Sequence, residues 1–229
     1  MRPRNPLSFA LLAMLAGSPA LVSCSSMTIA TKEYFGITKR DQLVARVEDA
    51  RDQQQEAKEQ FASALEEFLA VTGASANDGS VQELEARYKQ LSKAYERSES
   101  EAAAVHKRIG DVEAVANKLF AEWQKELDQY TNESLRSASA AQLAQTRTQY
   151  DRLLAAMRAA ESKMDPVLKA FKDQVLFLKH NLNAQAIASL GTTVGQIESD
   201  VTRLIREMEA SINEADAFIR EMGTAPANG

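Results

Sequence analysis

Cysteine is almost missing from this chain: its 229 residues include one, Cys24. No disulfide can form within it, so an exported domain of this sequence has to be held by packing alone. Histidine is nearly as scarce, with only His106 and His180. A carboxylate-bridged metal site in a helical bundle uses Glu-x-x-His on two helices, and here Ala103 and Phe177 stand three residues before the histidines. Five prolines and nine glycines leave long stretches without a helix breaker. No apolar run reaches the roughly 20 residues that span a membrane. The run over residues 7–16 is about half that length, and Gly17 and Pro19 follow it. Neither Gly-x-Ser-x-Gly nor a phosphate-cradling Gly-x-x-x-x-Gly-Lys-Ser/Thr occurs, so two common catalytic motifs are excluded. Acidic residues outnumber basic ones, 32 to 27. That balance argues against holding nucleic acid or anionic lipid through bulk charge.

What the N-terminus does contain is a targeting pattern. Arg2 and Arg4 precede the apolar residues 7–16, and Gly17, Ser18 and Pro19 come after. This is the charged, apolar and small-residue order of a secretory signal. Leu21-Val22-Ser23-Cys24 resembles the lipobox, in which the cysteine thiol receives diacylglycerol and becomes the new N-terminus. The expected divisions are a lipoprotein-type signal peptide over residues 1–23, a lipidated N-terminus and tether over 24–37, a helical coiled-coil domain over 38–222, and a flexible tail over 223–229. Cys24 is the expected lipidation site and the membrane the expected partner. At about 0.8 kcal/mol per buried methylene, two or three palmitate-type chains make such an anchor effectively permanent. Ser25, in place of the aspartate typical of inner-membrane retention, resembles the outer-membrane class, facing the periplasm of a Gram-negative bacterium.

From residue 38 onward the chain reads as helix almost throughout. Thr38 with Asp41 forms a capping box, and the seam Leu43, Val47, Ala50, Gln54, Ala57, Phe61, Ala64, Phe68, Val71 alternates steps of four and three. A loop follows over 73–80, and Ser80 with Glu83 is a second capping box. The second seam is the longest: Val81, Leu84, Tyr88, Leu91, Tyr95, Ser98, Ala102, Val105, Ile109, Val112, Ala116, Leu119, Trp123, Glu126, Tyr130. A continuous helix of about 50 residues would be about 75 Å long, and a period of 3.5 calls for a partner helix along it. The third helix is expected to be capped by Ser139 with Gln142. Its seam is Leu143, Thr146, Tyr150, Leu153, Met157, Ala160, Met164, Val167, Phe171, Gln174, Leu178. Phase holds across Asp165-Pro166, which predicts one continuous helix kinked at the proline. Phase breaks after Leu178, placing a hairpin turn at residues 181–183. The last seam is Ile187, Leu190, Val194, Ile197, Val201, Leu204, Met208, Ser211, Ala215, Phe218, Met222, with Gly223 as its stop. The fold class is all-α: an elongated antiparallel bundle, or intramolecular coiled coil, of about four long helices.

No catalytic, cofactor-binding or metal-binding residue is identified, and no cofactor, nucleic acid or small-molecule substrate is implied. The reading that follows is a non-enzymatic, structural or interaction protein, partnered by itself or by another envelope protein. A ligand- or metal-binding bundle, or an enzyme, would instead need the polar seam residues Gln54, Ser98, Glu126, Thr146, Gln174 and Ser211 to converge. His106 is expected to be solvated, with Glu99, Glu101 or Glu113 within reach. Residues 171–190 are apolar on more than one face; burial at a bundle end is expected, with a docking surface as the alternative. Gly191 and Gly195 would mark close helix contact or a weak point in the helix.

Residues 36–51 (GITKRDQLVARVEDAR), 175–183 (VLFLKHNLN) and 206–216 (REMEASINEAD) resemble an uncharacterised proteobacterial family, domain of unknown function 2959. The resemblance covers nearly the whole chain after Cys24. It implies a lipoprotein-type signal before a helical domain and assigns no residue a role.

Overall fold

A computed structural model describes residues 38–73 and 81–224. Four helices fill them: α1 (Lys39–Thr72), α2 (Val81–Glu126), α3 (Glu133–His180) and α4 (Ala184–Thr224), with a 3-10 turn at Leu127–Gln129. Each packs against its sequence neighbours, and α4 closes the ring onto α1. Short connections force neighbours to run antiparallel. The architecture is an elongated antiparallel four-helix bundle, and α3, with 48 residues, is about 72 Å long.

The heptad seams form the core. Every predicted seam residue of α1 is buried, from Leu43 to Val71. Across the bundle axis the rings of Phe68 on α1 and Phe171 on α3 meet edge to face, 6.2 Å between centroids. The predicted capping box starts α1: Asp41 N–H donates to Thr38 Oγ1 at 3.1 Å, and Thr38 N–H donates to Asp41 Oδ2 at 3.2 Å. The second box, at Ser80, lies outside the described residues, as do the 74–80 loop, the signal and tether segments, and Cys24. α3 runs unbroken through Pro166. The α3–α4 turn falls at residues 181–183, where Asn183 Oδ1 accepts from Ala186 N–H at 2.9 Å.

The helices differ in length, and this produces the departures from the simple seam pattern. Lys39, at the start of α1, is ion-paired with Glu122, and Arg40 donates to the Met222 carbonyl near the end of α4. α1 and α4 therefore stop at one level, while α2 and α3 continue beyond it as a two-helix arm. Among the described residues α2 there has only α3 to pack on, and its buried face rotates. Phe120 and Leu127 are buried, whereas the predicted seam residues Glu126 and Tyr130 are exposed. The predicted continuous helix to Tyr130 ends at Glu126. Ser139 does not cap α3. Asn132 does, its Oδ1 accepting from Ser134 N–H at 3.0 Å and Leu135 N–H at 3.2 Å. An asparagine cap beside an acidic first turn serves the orphan donors as well as the serine would, and it lies earlier in the chain. At the opposite end of α3, Val175 takes the buried place expected of Gln174. Gly223 does not stop α4, which continues through Thr224; a difference of one residue at a fraying end is ordinary.

Gly191 and Gly195 sit inside α4 with nothing within 4 Å of the position a β-carbon would take. Close helix contact is therefore not what places them there. Each weakens the helix through backbone entropy. Gly191→Ala and Gly195→Ala should each add about 0.5–1 kcal/mol, read as a higher urea midpoint. A lowered midpoint would mean that these positions pack against something outside the described residues.

Candidate functional site

Two polar constellations interrupt the apolar seams or flank them. The first lies in the core. Gln54 on α1 and Ser211 on α4 are both fully buried, and Ser211 Oγ donates to Gln54 Oε1 at 2.7 Å. Gln54 Nε2 has no partner. The other polar seam residues do not join them. Ser98 donates to its own helix at Ala94 O, 2.9 Å away, and Thr146 likewise to Gln142 O at 2.9 Å. Glu126 is exposed and Gln174 only half-buried. Of the six candidates the fold brings one pair together, and that pair ties α1 to α4.

The second constellation is an ionic clasp between α2 and α3. Arg158 reaches from α3 to hold both oxygens of Glu113 on α2, at 3.2 and 2.7 Å, and its other terminal nitrogen holds Glu161 at 2.6 Å. Glu161 in turn meets Nδ1 of His106, whose side chain is otherwise largely exposed. Bidentate geometry makes Arg158 the strongest of these partners. Its guanidinium is raised above the ordinary arginine range, first by the hydrogen bond to Glu113 and then by that to Glu161. Nearby, the Tyr150 phenol is pushed up to about 12, first by burial, then by the negative Glu113 and Asp151, with Arg158 opposing. Its ring packs edge to face on Phe120 at 5.3 Å, and Arg147 lies over the same Phe120 ring at 5.4 Å.

Beside the clasp a groove of about 930 Å³ opens between α2 and α3. Tyr95, Ala102, Met164 and Leu168 give it apolar walls, with Glu99, Asp165, Lys169 and Lys172 at its margins. Tyr95 donates its hydroxyl to Glu99 at 2.9 Å, and Ser162 spends its own on Ala159 O at 2.8 Å. The charges are of both signs: His106, Arg158 and Glu161 of the clasp also line the groove and are paired with one another, whereas Asp165, Lys169 and Lys172 form no ion pair among the described residues. Among the described residues no cluster of three or more His, Cys, Asp or Glu could hold a metal. His106 was expected near Glu99, Glu101 or Glu113; its partner is instead Glu161, on the neighbouring helix. Periodicity within α3 puts Arg158 and Glu161 on one face, but the pairing with His106 depends on the α2–α3 register, which a single helix does not encode. His180 is exposed in the last turn of α3, where a cationic or polar group suits the helix terminus.

The apolar segment 171–190 divides. Phe171, Val175, Leu178, Ile187 and Leu190 are buried, but Leu176 and Phe177 remain 50% and 39% exposed. Full burial between neighbouring helices, the expected outcome, is therefore corrected. Among the described residues α3 packs on α2 and α4, and Leu176 and Phe177 lie on its outward side.

A family model described as "Protein of unknown function (DUF2959)" matches residues 29–222. The chain belongs to this family. The match takes in all of α1, α2 and α3, and α4 as far as Met222, so both polar constellations lie within the family region. No curated protein and no solved structure matches the chain.

The Gln54–Ser211 pair gives a direct test of what the core tolerates. Ser211→Ala strands a second polar end of Gln54 and should cost about 1–3 kcal/mol. Adding Gln54→Leu to that variant should recover most of the loss, since removing both partners of a buried hydrogen bond is close to neutral. Chemical denaturation of the single and double variants checks this. A double variant less stable than Ser211→Ala alone would show that the polar pair contributes net stability.

Proposed function

We propose that this chain is a lipid-anchored protein of the bacterial envelope whose helical bundle has a structural or protein-interaction role. The anchor reading rests on Cys24, the single thiol of the chain, placed directly after an apolar leader and small residues. No helix among the described residues is long and apolar enough to cross a membrane. In this reading attachment therefore rests on the lipid, with the outer membrane and its periplasmic face as the location. The interaction role is supported by one observation above the rest. Leu176 and Phe177 stand exposed side by side at the α3 end of the bundle, an apolar pair that folding leaves uncovered. The polar groups do not form one site: the buried Gln54–Ser211 pair joins α1 to α4, whereas Arg158, Glu161 and His106 of the clasp line the groove between α2 and α3 and are paired among themselves.

A second reading, a bundle that binds a small ligand, is favoured by the unpartnered Gln54 Nε2 and by the groove between α2 and α3. Purified protein carrying a stoichiometric metal or organic molecule would favour it over the first. The anchor is tested in cells. Labelling with an alkyne-bearing fatty acid should tag the protein, and Cys24→Ala should abolish the tag. Undiminished labelling of that variant would contradict the lipid reading.

A further inference from the structure

Among the described residues the exposed large apolar side chains are Tyr130, Leu135, Leu176 and Phe177. All four lie at the two ends of the bundle. Leu135 and Leu176 are about 61 Å apart along α3, and the flanks between them carry ion pairs such as Arg51–Asp216, Lys58–Glu209 and Arg158–Glu113. The ends differ in their distance from Thr38, the cap of α1. Lys39 is ion-paired with Glu122 and Arg40 donates to the Met222 carbonyl, so Thr38 sits at the root of the α2–α3 arm. The tip of the arm, at the end of the 3-10 turn, is about 11 Å further on. At the opposite end Phe171 meets Phe68 near the close of α1, and α1, with 34 residues, is about 51 Å long.

We propose that the arm tip, through Tyr130 and Leu135, rests on the zwitterionic lipid surface of the membrane that holds Cys24, with Leu176 and Phe177 directed away from it. This orientation rests on the anchor reading stated above. Reach selects the end. The 13 residues between Cys24 and Thr38 span at most about 47 Å at full extension. Standing on the Leu176–Phe177 end would hold Thr38 about 51 Å above the lipid and draw that tether to its limit or past it. Standing on the arm asks it to cover about 11 Å. Lying flat would press charged flanks against the lipid in place of apolar side chains. The chemistry of the tip agrees. A tyrosine ring favours the headgroup level, where its apolar body is covered and its hydroxyl stays wet, and Leu135 supplies a second apolar contact. Lys125 and Arg136 nearly balance Glu126, Asp128 and Glu133 around them. Such a tip suits zwitterionic headgroups and gains no attraction from an anionic surface.

In this reading the Cys24 thiol is consumed by lipid, which leaves a cysteine placed elsewhere as the one free thiol. In the full-length acylated chain, Thr131→Cys at the tip and Lys179→Cys at the far end, both exposed positions, can each carry an environment-sensitive NBD label. On phosphatidylcholine vesicles the label at position 131 should brighten, shift to the blue and be quenched by nitroxide-bearing lipid. The label at position 179 should stay unchanged. Tyr130→Ser with Leu135→Ser, both outside the core, should abolish the response at position 131 while the protein still floats with the vesicles. Equal responses at the two positions, on acylated protein that floats, would overturn the orientation and leave the anchor standing. Purified protein without acyl mass would remove the anchor reading and this orientation with it. A response at position 131 that fades as the protein is diluted in the vesicles would make a second copy the occupant, and would also overturn the proposal.

Discussion

Everything in this fold depends on keeping four heptad seams in phase around one axis. A seam that alternates steps of four and three turns its apolar stripe only slowly about the helix, so one face can stay buried over many turns. Four such stripes facing inward give a core one or two side chains thick, with Phe61, Phe68, Phe171, Leu153 and Met157 fully enclosed. Each large apolar side chain buried this way contributes about 1.5–3 kcal/mol. The surface ion pairs between helices, such as Arg51–Asp216 at 3.0 Å and Arg108–Asp49 at 3.4 Å, contribute about 0–1 kcal/mol each. Burial holds the bundle together, and the ion pairs mainly mark its register.

Register is the weak point of such a design. Heptad seams slide past one another in steps of seven with little loss of apolar contact, so something has to penalise the slipped states. The buried Gln54–Ser211 hydrogen bond does this between α1 and α4, because a slip would strand both groups in an apolar layer. The Arg158–Glu113 clasp does the same for α2 and α3 from the outside. Its partial exposure makes it the weaker of the two constraints. Of the polar seam residues, Gln54 and Ser211 are thus accounted for as a device of alignment between α1 and α4.

Helix content, seam membership and the α3–α4 turn were legible in the sequence because they depend on spacing along a single helix. The α1 seam from Leu43 to Val71 is recovered in full, since α1 has neighbours along its whole length. The errors share a cause. Glu126 and Tyr130 belong to the heptad pattern but lie beyond the level of α1 and α4, so the pattern names a face that no other described helix covers. Gln174 gives way to Val175 for a related reason, at the end of α3. The Asn132 cap and the serine seven residues later are equally good local signals, and only the position of the 3-10 turn chooses between them. His106 and Glu161 needed the register of two helices, which neither seam contains. Cys24 is of another kind: its meaning comes from the chemistry of a processing motif, and packing neither supports nor opposes it.

The central claim is that the four seams are satisfied within one chain as a long, thin bundle. Small-angle scattering with mass measurement on the full-length protein, its detergent matched out, tests that claim most directly. The account predicts the mass of a single chain and a radius of gyration well above the about 16 Å of a globule of the bundle's size. A compact radius near that value, or a mass of two chains with seams shared between them, would contradict it.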